Sequence, residues 1–171
     1  MITRLFIISM LALACGPIQV LAGESALDAA NVLPEKYRSK IIKISADNGT
    51  PNPAAWYFLC RTAHSRDGIL SITVQDGSIV QQKPSLDLRA LAGEYSRINL
   101  SKVAVDSRGA FEIARRYCNS KGTPLVNASY ALQQQGSDAT PIWSVWCYDR
   151  DTRYIGLVRI LASTGDVISA D

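Results

Sequence analysis

The sequence has little of what enzymes and metal-binding proteins use for their chemistry. It contains a single histidine, His64, and none of its four cysteines belongs to a Cys-x-x-Cys pair. Structural zinc sites are commonly built on such pairs, so that class is disfavoured, as is a dithiol redox site. The G-x-S-x-G, P-loop and G-x-G-x-x-G motifs of hydrolases and nucleotide-binding enzymes are also missing. We therefore expect no catalytic, cofactor-binding or metal-binding residues.

Charge of one sign is not concentrated along the chain. Lysine and arginine number 18 against 15 acidic residues, and the longest basic run is Arg115–Arg116. A nucleic-acid-binding protein normally carries a basic stripe. Nucleic acid is therefore not an expected partner.

Two groupings of reactive residues have plainer explanations. Cys60 and His64 would need adjacent side chains to act as nucleophile and base, but residues four apart on a strand lie roughly 13 Å apart. Asp149 and Asp151 lie beside Arg150 in a predicted turn, whereas carboxylate pairs for glycoside chemistry face each other across a cleft. We interpret His64 as a surface turn residue and the aspartates as solvated.

Long hydrophobic runs are missing as well. The run LFIISMLALA at 5–14 has ten residues, and no other run approaches the roughly 20 that a membrane-spanning helix needs. It is followed by the small residues Val20 and Ala22, which predicts a secretory signal peptide over residues 1–22 with cleavage after Ala22.

A lipoprotein signal is the alternative interpretation of this segment, with Cys15 as the acylated residue. We favour plain cleavage because Leu13 is bulky at a position that usually holds a small residue. Residues 23–171 are then predicted to be exported, to the periplasm or the extracellular space, with no transmembrane helix in the mature chain.

Hydrophobic periodicity predicts a mixture of helices and strands. Tyr37, Ile41 and Ile44 lie on one helical stripe, and Asp76-Gly77 is a typical two-residue hairpin turn. Helices are predicted over 34–49, 86–92 and 108–121, and an extended segment over 98–105. Strands are predicted over 55–63, 69–75, 78–81, 126–133, 142–149, 154–162 and 166–169.

The two halves of the chain share several short patterns. WYFLC at 56–60 and WSVWC at 143–147 both begin with tryptophan and place a cysteine four residues later. Gly-Thr-Pro follows the first helix at 49–51 and the second at 122–124. This similarity predicts an internal repeat.

The repeat predicts an α+β fold of two units, each with one helix packed on a small antiparallel sheet. The first and shorter unit would span 23–82, a linker 83–102, and the second unit 103–171. Trp56 and Trp143 would be core anchors beneath the helices, because a buried indole stabilises a core strongly.

The cysteines of the mature chain predict one disulfide. Cys118 lies on the buried stripe of helix 108–121, and Cys147 on the same strand face as Trp143. A bond between them would close a loop of about 30 residues and stabilise the fold by roughly 3–4 kcal/mol. The alternative pair is Cys60–Cys147, which would join the two units.

The second half combines a helix, a tryptophan-bearing strand and a final hairpin in a recognisable pattern of residues: Ala110, Ile113, Ala114, Trp143, Val145, Thr164, Gly165 and Val167. This pattern resembles that of the PepSY domain family. The resemblance covers 103–171 well and 34–82 weakly, and Ala162-Ser163 departs from it where family members often carry an aspartate. A tandem of two such units is similar in plan to the β-lactamase inhibitory protein.

The resemblance implies a secreted or membrane-tethered module without catalytic residues, of the kind found in propeptides of thermolysin-like metallopeptidases. We therefore predict an exported, non-catalytic binding module whose partner is another protein or a peptide, including a peptidase that it regulates or inhibits. The alternative is a structural or lipid-anchored cell-envelope protein with no inhibitory role. No cofactor is expected in either case.

Overall fold

The structure, a computed structural model, describes residues 23–49, 51–62, 68–85, 96–136 and 139–171. The predicted signal peptide with Cys15, the turn residue His64 and the predicted helix over 86–92 lie outside these residues.

The described residues form short helices and long strands. The helices are α1 (Ala26–Val32), α2 (Glu35–Arg38) and α3 (Ser107–Ser120), with a 3-10 turn at Leu100–Lys102. The strands are β1 (Ile41–Gly49), β2 (Trp56–Arg61), β3 (Ile69–Gln75), β4 (Ser78–Pro84), β5 (Asn127–Gln133), β6 (Ile142–Tyr148), β7 (Tyr154–Leu161) and β8 (Val167–Ala170).

All eight strands belong to one antiparallel sheet in the order β4-β3-β2-β1-β5-β6-β7-β8. The two halves meet where β1 pairs with β5, with Ile44 opposite Leu132 and Ala46 opposite Tyr130. The predicted fold class, two repeated units with a small sheet each, is therefore wrong. Two separate sheets would each have left an additional edge of unpaired backbone N–H and C=O groups, and the β1–β5 ladder satisfies both edges.

The predicted helix over 34–49 is also wrong. The helix ends at Arg38, and Ile41–Gly49 forms β1. The stripe of Tyr37, Ile41 and Ile44 fitted a helix, but β-branched isoleucines pack equally well on a pleated sheet. Pairing with β2 on one side and β5 on the other decides between the two.

The other helix and the hairpin agree with their local signals. The helix predicted over 108–121 is Ser107–Ser120 and is capped by Asp106, whose side chain accepts a hydrogen bond from the Ser107 N–H. Asp76 and Gly77 have φ values of 49° and 70°. Positive φ at both central residues is typical of the two-residue turns that match the twist of a β-hairpin.

The helices pack on one face of the sheet and enclose the main core. Trp56 and Trp143 are both 0% exposed there. Their ring centroids are 6.4 Å apart, and the Tyr130 ring forms a triangle with them, at 5.8 Å from Trp56 and 6.4 Å from Trp143. These three rings join the two halves of the sheet in one hydrophobic cluster.

Each of the two tryptophans also binds the chain just before a helix. The Nε1–H of Trp56 donates to the carbonyl of Glu24 at 2.9 Å, immediately before the N-cap of α1. The Nε1–H of Trp143 donates to the carbonyl of Val105 at 2.8 Å, immediately before the N-cap of α3. The buried indoles therefore satisfy their polar atoms and orient the helices on the sheet.

The N-termini of α1 and α3 share one pair of capping side chains. The Ala26 N–H donates to Ser107 Oγ at 3.0 Å, and the Leu27 N–H donates to Asp106 Oδ1 at 3.2 Å. Asp106 Oδ1 also accepts from the Ser107 N–H at 2.6 Å. A single carboxylate thus stabilises the positive ends of two helices that lie far apart in the chain.

Candidate functional site

The face of the sheet opposite the helices is the candidate site. Side chains alternate between the faces of a strand, so Ser45, Tyr57, Ala131 and Ser144 point away from the core. They form one row across four strands, because Ser45 is opposite both Tyr57 and Ala131, and Ala131 is opposite Ser144. We call this side of the sheet the open face.

Two aromatic side chains of β6 lie on the open face, next to β5. Trp146 is opposite Ser129 of β5, and Tyr148 is opposite Asn127. Both rings are partly exposed, and Tyr57 on β2 is 40% exposed. Aromatic rings beside serine and asparagine offer apolar contact area and hydrogen-bonding groups on the same surface.

A shallow depression of about 350 Å³ lies between these rings and the central strands. Its walls include Lys43 and Asp47 of β1, Ser129 of β5, and Trp146 and Tyr148 of β6. The depression therefore carries one cation, one anion and two aromatic rings. This combination suits a polar side chain or backbone segment of a partner better than a purely apolar ligand.

A smaller apolar cluster marks one end of the open face. Ile42, Leu59 and Ile69 form a group separate from the main core, and they are 0%, 7% and 2% exposed. They belong to the end of the sheet where β1 begins and β2 ends. The exposed part of the open face therefore begins at the row of Ser45 and Tyr57.

Sequence patterns alone do not reveal this surface, because β6 is apolar on both faces. They predict Trp143 as a core anchor and assign no role to Trp146. The burial pattern of β6 alternates along Ile142–Tyr148, with Trp143, Val145 and Cys147 buried. The signal in the sequence is the pair Trp146 and Tyr148, which alternate with the buried residues of β6 and therefore point to the opposite face.

Three buried side chains of the main core, Cys60, Tyr130 and Cys147, have raised pKa values. None of the three lies on the open face. Burial raises the pKa of the Cys60 thiol from 9.0 to about 12. Burial also raises the pKa of Tyr130, and it raises that of the Cys147 thiol, with a further contribution from the neighbouring Cys118. These groups stay protonated at neutral pH, and a protonated thiol is a poor nucleophile.

The structure brings together the two cysteines of the predicted disulfide. Cys118 on the buried side of α3 and Cys147 on the core face of β6 both lie in the helix–sheet interface. Both are free thiols in this structure, as is Cys60. Strands β1 and β5 separate Cys60 on β2 from Cys147 on β6, a spacing of roughly 14 Å. That distance is too long for the alternative Cys60–Cys147 bond.

The two aspartates considered in the sequence analysis build a turn. Asp149 Oδ1 accepts hydrogen bonds from the N–H groups of Asp151 and Arg153 at 2.8 and 2.9 Å. Asp151 is an exposed residue 3.7 Å from the Arg153 guanidinium. The pair therefore shapes the connection between β6 and β7.

The described residues contain neither a metal-binding cluster nor a membrane-spanning helix. No group of three or more His, Cys, Asp or Glu side chains within these ranges is arranged to hold a metal ion. No helix among the same residues has the length and apolar character to cross a bilayer.

The fold defines an α+β protein in which one antiparallel sheet carries all its described helices on one face. A similar fold is present in the crystal structure of a "putative lipoprotein" from Clostridium difficile 630, with a TM-score of 0.55 and 13% sequence identity. The match covers 86% of this chain and 91% of that protein. This similarity concerns the fold alone.

No family model and no curated protein matches the chain. The resemblance of residues 103–171 to the PepSY family therefore stays a prediction.

Proposed function

We propose that this chain is an exported, non-catalytic protein of the cell envelope that binds a partner protein through its open face. The observation that carries the proposal is the placement of Trp146 and Tyr148 on the side of the sheet away from the helices. Cross-strand packing accounts for part of what these rings contribute to the protein. Their partial exposure leaves apolar area available for a partner.

The size of the open face suits a protein partner. Eight strands spaced at about 4.8 Å span roughly 34 Å, and seven residues of a strand extend roughly 23 Å. The product, roughly 800 Å², is the area of the whole face, and the part beyond the buried cluster of Ile42, Leu59 and Ile69 is smaller. A partner that uses this remaining part would form an interface at the small end of the range for protein complexes. A small-molecule ligand would instead need a deep pocket that encloses it.

The chemistry of the open face supports the same proposal. Tryptophan and tyrosine are the residue types that most often dominate binding energy at interfaces. Trp146, Tyr148 and Tyr57 are surrounded by hydroxyl-bearing and charged side chains, including Ser45 and Lys43. Such a surface binds by shape and hydrogen bonding around aromatic anchors.

Site-specific photo-crosslinking in the native host tests the proposal. Benzoyl-phenylalanine in place of Tyr57 puts an aromatic crosslinker on the open face. The matched control places it at Arg116, an exposed position on α3. We expect one defined crosslinked protein from position 57 and none of that product from position 116, because the two positions lie on opposite sides of the molecule.

The purified crosslinked protein then allows a quantitative measurement. Trp146→Ala should weaken its binding at least tenfold by calorimetry, with an unchanged circular dichroism spectrum, whereas Arg116→Ala should have no effect. Equal crosslinking from both positions would contradict the proposal, as would full affinity of Trp146→Ala. A second copy of this chain as the product would identify the open face as a dimer interface instead.

A peptidase is a narrower candidate for the partner. It is supported only by the resemblance of residues 103–171 to PepSY domains. The identity of the crosslinked protein decides this point without affecting the broader proposal.

Lipid anchoring at Cys15 is a second candidate for the way the chain is held in the envelope. The fold that it shares with a "putative lipoprotein" favours this candidate, and the Leu13 side chain favours plain cleavage after Ala22. Mass spectrometry of the mature protein distinguishes the two. We expect an N-terminus at Gly23 and no palmitate label.

A diacylated Cys15 would establish the anchored form and contradict cleavage after Ala22. The Cys15→Ala variant is the control. It should behave like the wild type if cleavage follows Ala22, and it should lose both label and membrane association if the chain is anchored.

A further inference from the structure

Two thiols meet at the interface between α3 and the sheet. Cys118 lies on the buried side of α3, with Ala110 and Ala114, and Cys147 lies on the core face of β6. Cys118 lines one pocket together with Gly156, which is opposite Cys147 in the β6–β7 ladder. Two elements with about 30 residues of chain between them therefore bring two cysteines to the same interface.

Only one of these thiols borders the surface. Cys118 is 6% exposed, and Cys147 is 0% exposed. A pocket of about 340 Å³ at the end of α3 is lined by Cys118 together with Tyr117, Lys121, Thr123, Ile155 and Asp171. A small molecule in this pocket would contact the sulfur of Cys118 and would be shielded from that of Cys147.

We propose that Cys118 and Cys147 form a disulfide by exchange with a low-molecular-weight disulfide that enters through this pocket. The Cys118 thiolate attacks one sulfur of the external disulfide, forms a mixed disulfide and releases one small thiol. The small thiolate released in the first step takes the proton of Cys147, and the Cys147 sulfur then attacks Cys118 Sγ and releases the second small thiol. The external disulfide is reduced to two thiols, and the two cysteines are oxidised to one cystine.

The order of the two steps follows from burial. Cys147 cannot meet an external disulfide while the core is closed, so Cys118 reacts first and Cys147 resolves the intermediate. The resulting bond joins the C-terminal part of α3 to the centre of the sheet. It closes the loop of about 30 residues that contains β5 and the β5–β6 connection, which restricts the unfolded chain more than the folded one.

Incubation of the reduced full chain with glutathione disulfide tests the proposal. After alkylation in denaturant and tryptic digestion, we expect fragment 117–121 to be linked to fragment 122–150. Cys60 should remain alkylated in fragment 44–61. The midpoint of thermal unfolding, measured after removal of glutathione, should rise by about 10 °C relative to the reduced chain.

Three variants separate the steps. Cys147→Ala should accumulate a glutathione adduct on Cys118, whereas Cys118→Ala should acquire no adduct on Cys147 while folded. Cys60→Ala should retain the linked fragments and the rise in the midpoint.

Failure of the wild type to link Cys118 to Cys147 would overturn the proposal, and so would a link from Cys147 to Cys60. A glutathione adduct on Cys147 in the folded Cys118→Ala variant would contradict the claim that the external disulfide reacts first with Cys118 through the pocket. The wild-type digest decides the pairing even if one variant does not fold.

Discussion

Replacing Trp143 with Ala should lower the free energy of unfolding by about 4–5 kcal/mol. The ring is 0% exposed and contacts Trp56 and Tyr130, so its removal leaves a cavity where the two halves of the sheet meet. The substitution also removes the donor to the Val105 carbonyl at 2.8 Å, which leaves an acceptor near the start of α3 without its partner. Urea denaturation followed by circular dichroism measures the loss.

Trp146→Ala is the matched control for this prediction. It removes the same side chain from the same strand, but from the open face, where the ring is partly exposed. We expect it to cost less than half as much stability, because less apolar area returns to water and no core cavity forms. Equal losses for the two variants would contradict the assignment of Trp143 to the core and of Trp146 to the surface.

Raising the pH above about 9 should destabilise the protein through Cys60. Burial raises the pKa of this thiol in the folded chain from 9.0 to about 12. Between these pH values the unfolded chain has lost the proton and the folded chain keeps it, so the unfolded state binds fewer protons. The free energy of unfolding then falls by about 1.4 kcal/mol per pH unit, or about 3 kcal/mol between pH 9 and pH 11.

The Cys60→Ala variant isolates this contribution. Its thiol is gone, so the difference in stability between wild type and variant should be constant below pH 9 and shrink by about 3 kcal/mol by pH 11. Burial also raises the pKa of Tyr130 and of Cys147, and both groups titrate in wild type and variant alike. Parallel pH curves for the two proteins would show that the Cys60 thiol ionises as readily in the folded chain as in the unfolded one.

Local sequence signals located most of the elements. The Asp76-Gly77 pair marked the β3–β4 hairpin, because few residues accept the positive φ values of such a turn. The predicted helix over 108–121 is likewise local, and its start is fixed by the neighbouring Asp106 side chain, which accepts a hydrogen bond from the Ser107 N–H. Both signals depend on a few neighbouring residues, which is why they can be read without the tertiary structure.

The open face shows where local signals are insufficient. Alternation along β6 separates Trp143 from Trp146, but it does not say which of the two sides the helices cover. Local signals also fail to distinguish helix from strand at Ile41 and Ile44, whose spacing suits a helix although they lie in β1. Contacts with residues distant in the chain decide these cases, and their contribution cannot be read from the residues on either side.

The sequence by itself determined the turns, the main helix, the alternating character of the strands and the absence of recognisable catalytic motifs. These properties follow from side-chain chemistry over a few consecutive residues. Only the tertiary structure decided that β1 pairs with β5 in one continuous sheet, that Asp106 caps two helices, and that Trp146 and Tyr148 lie on the open face. Each of these results depends on groups that are about 80 residues apart in the chain or on opposite sides of one sheet, and they meet only when the whole core is formed.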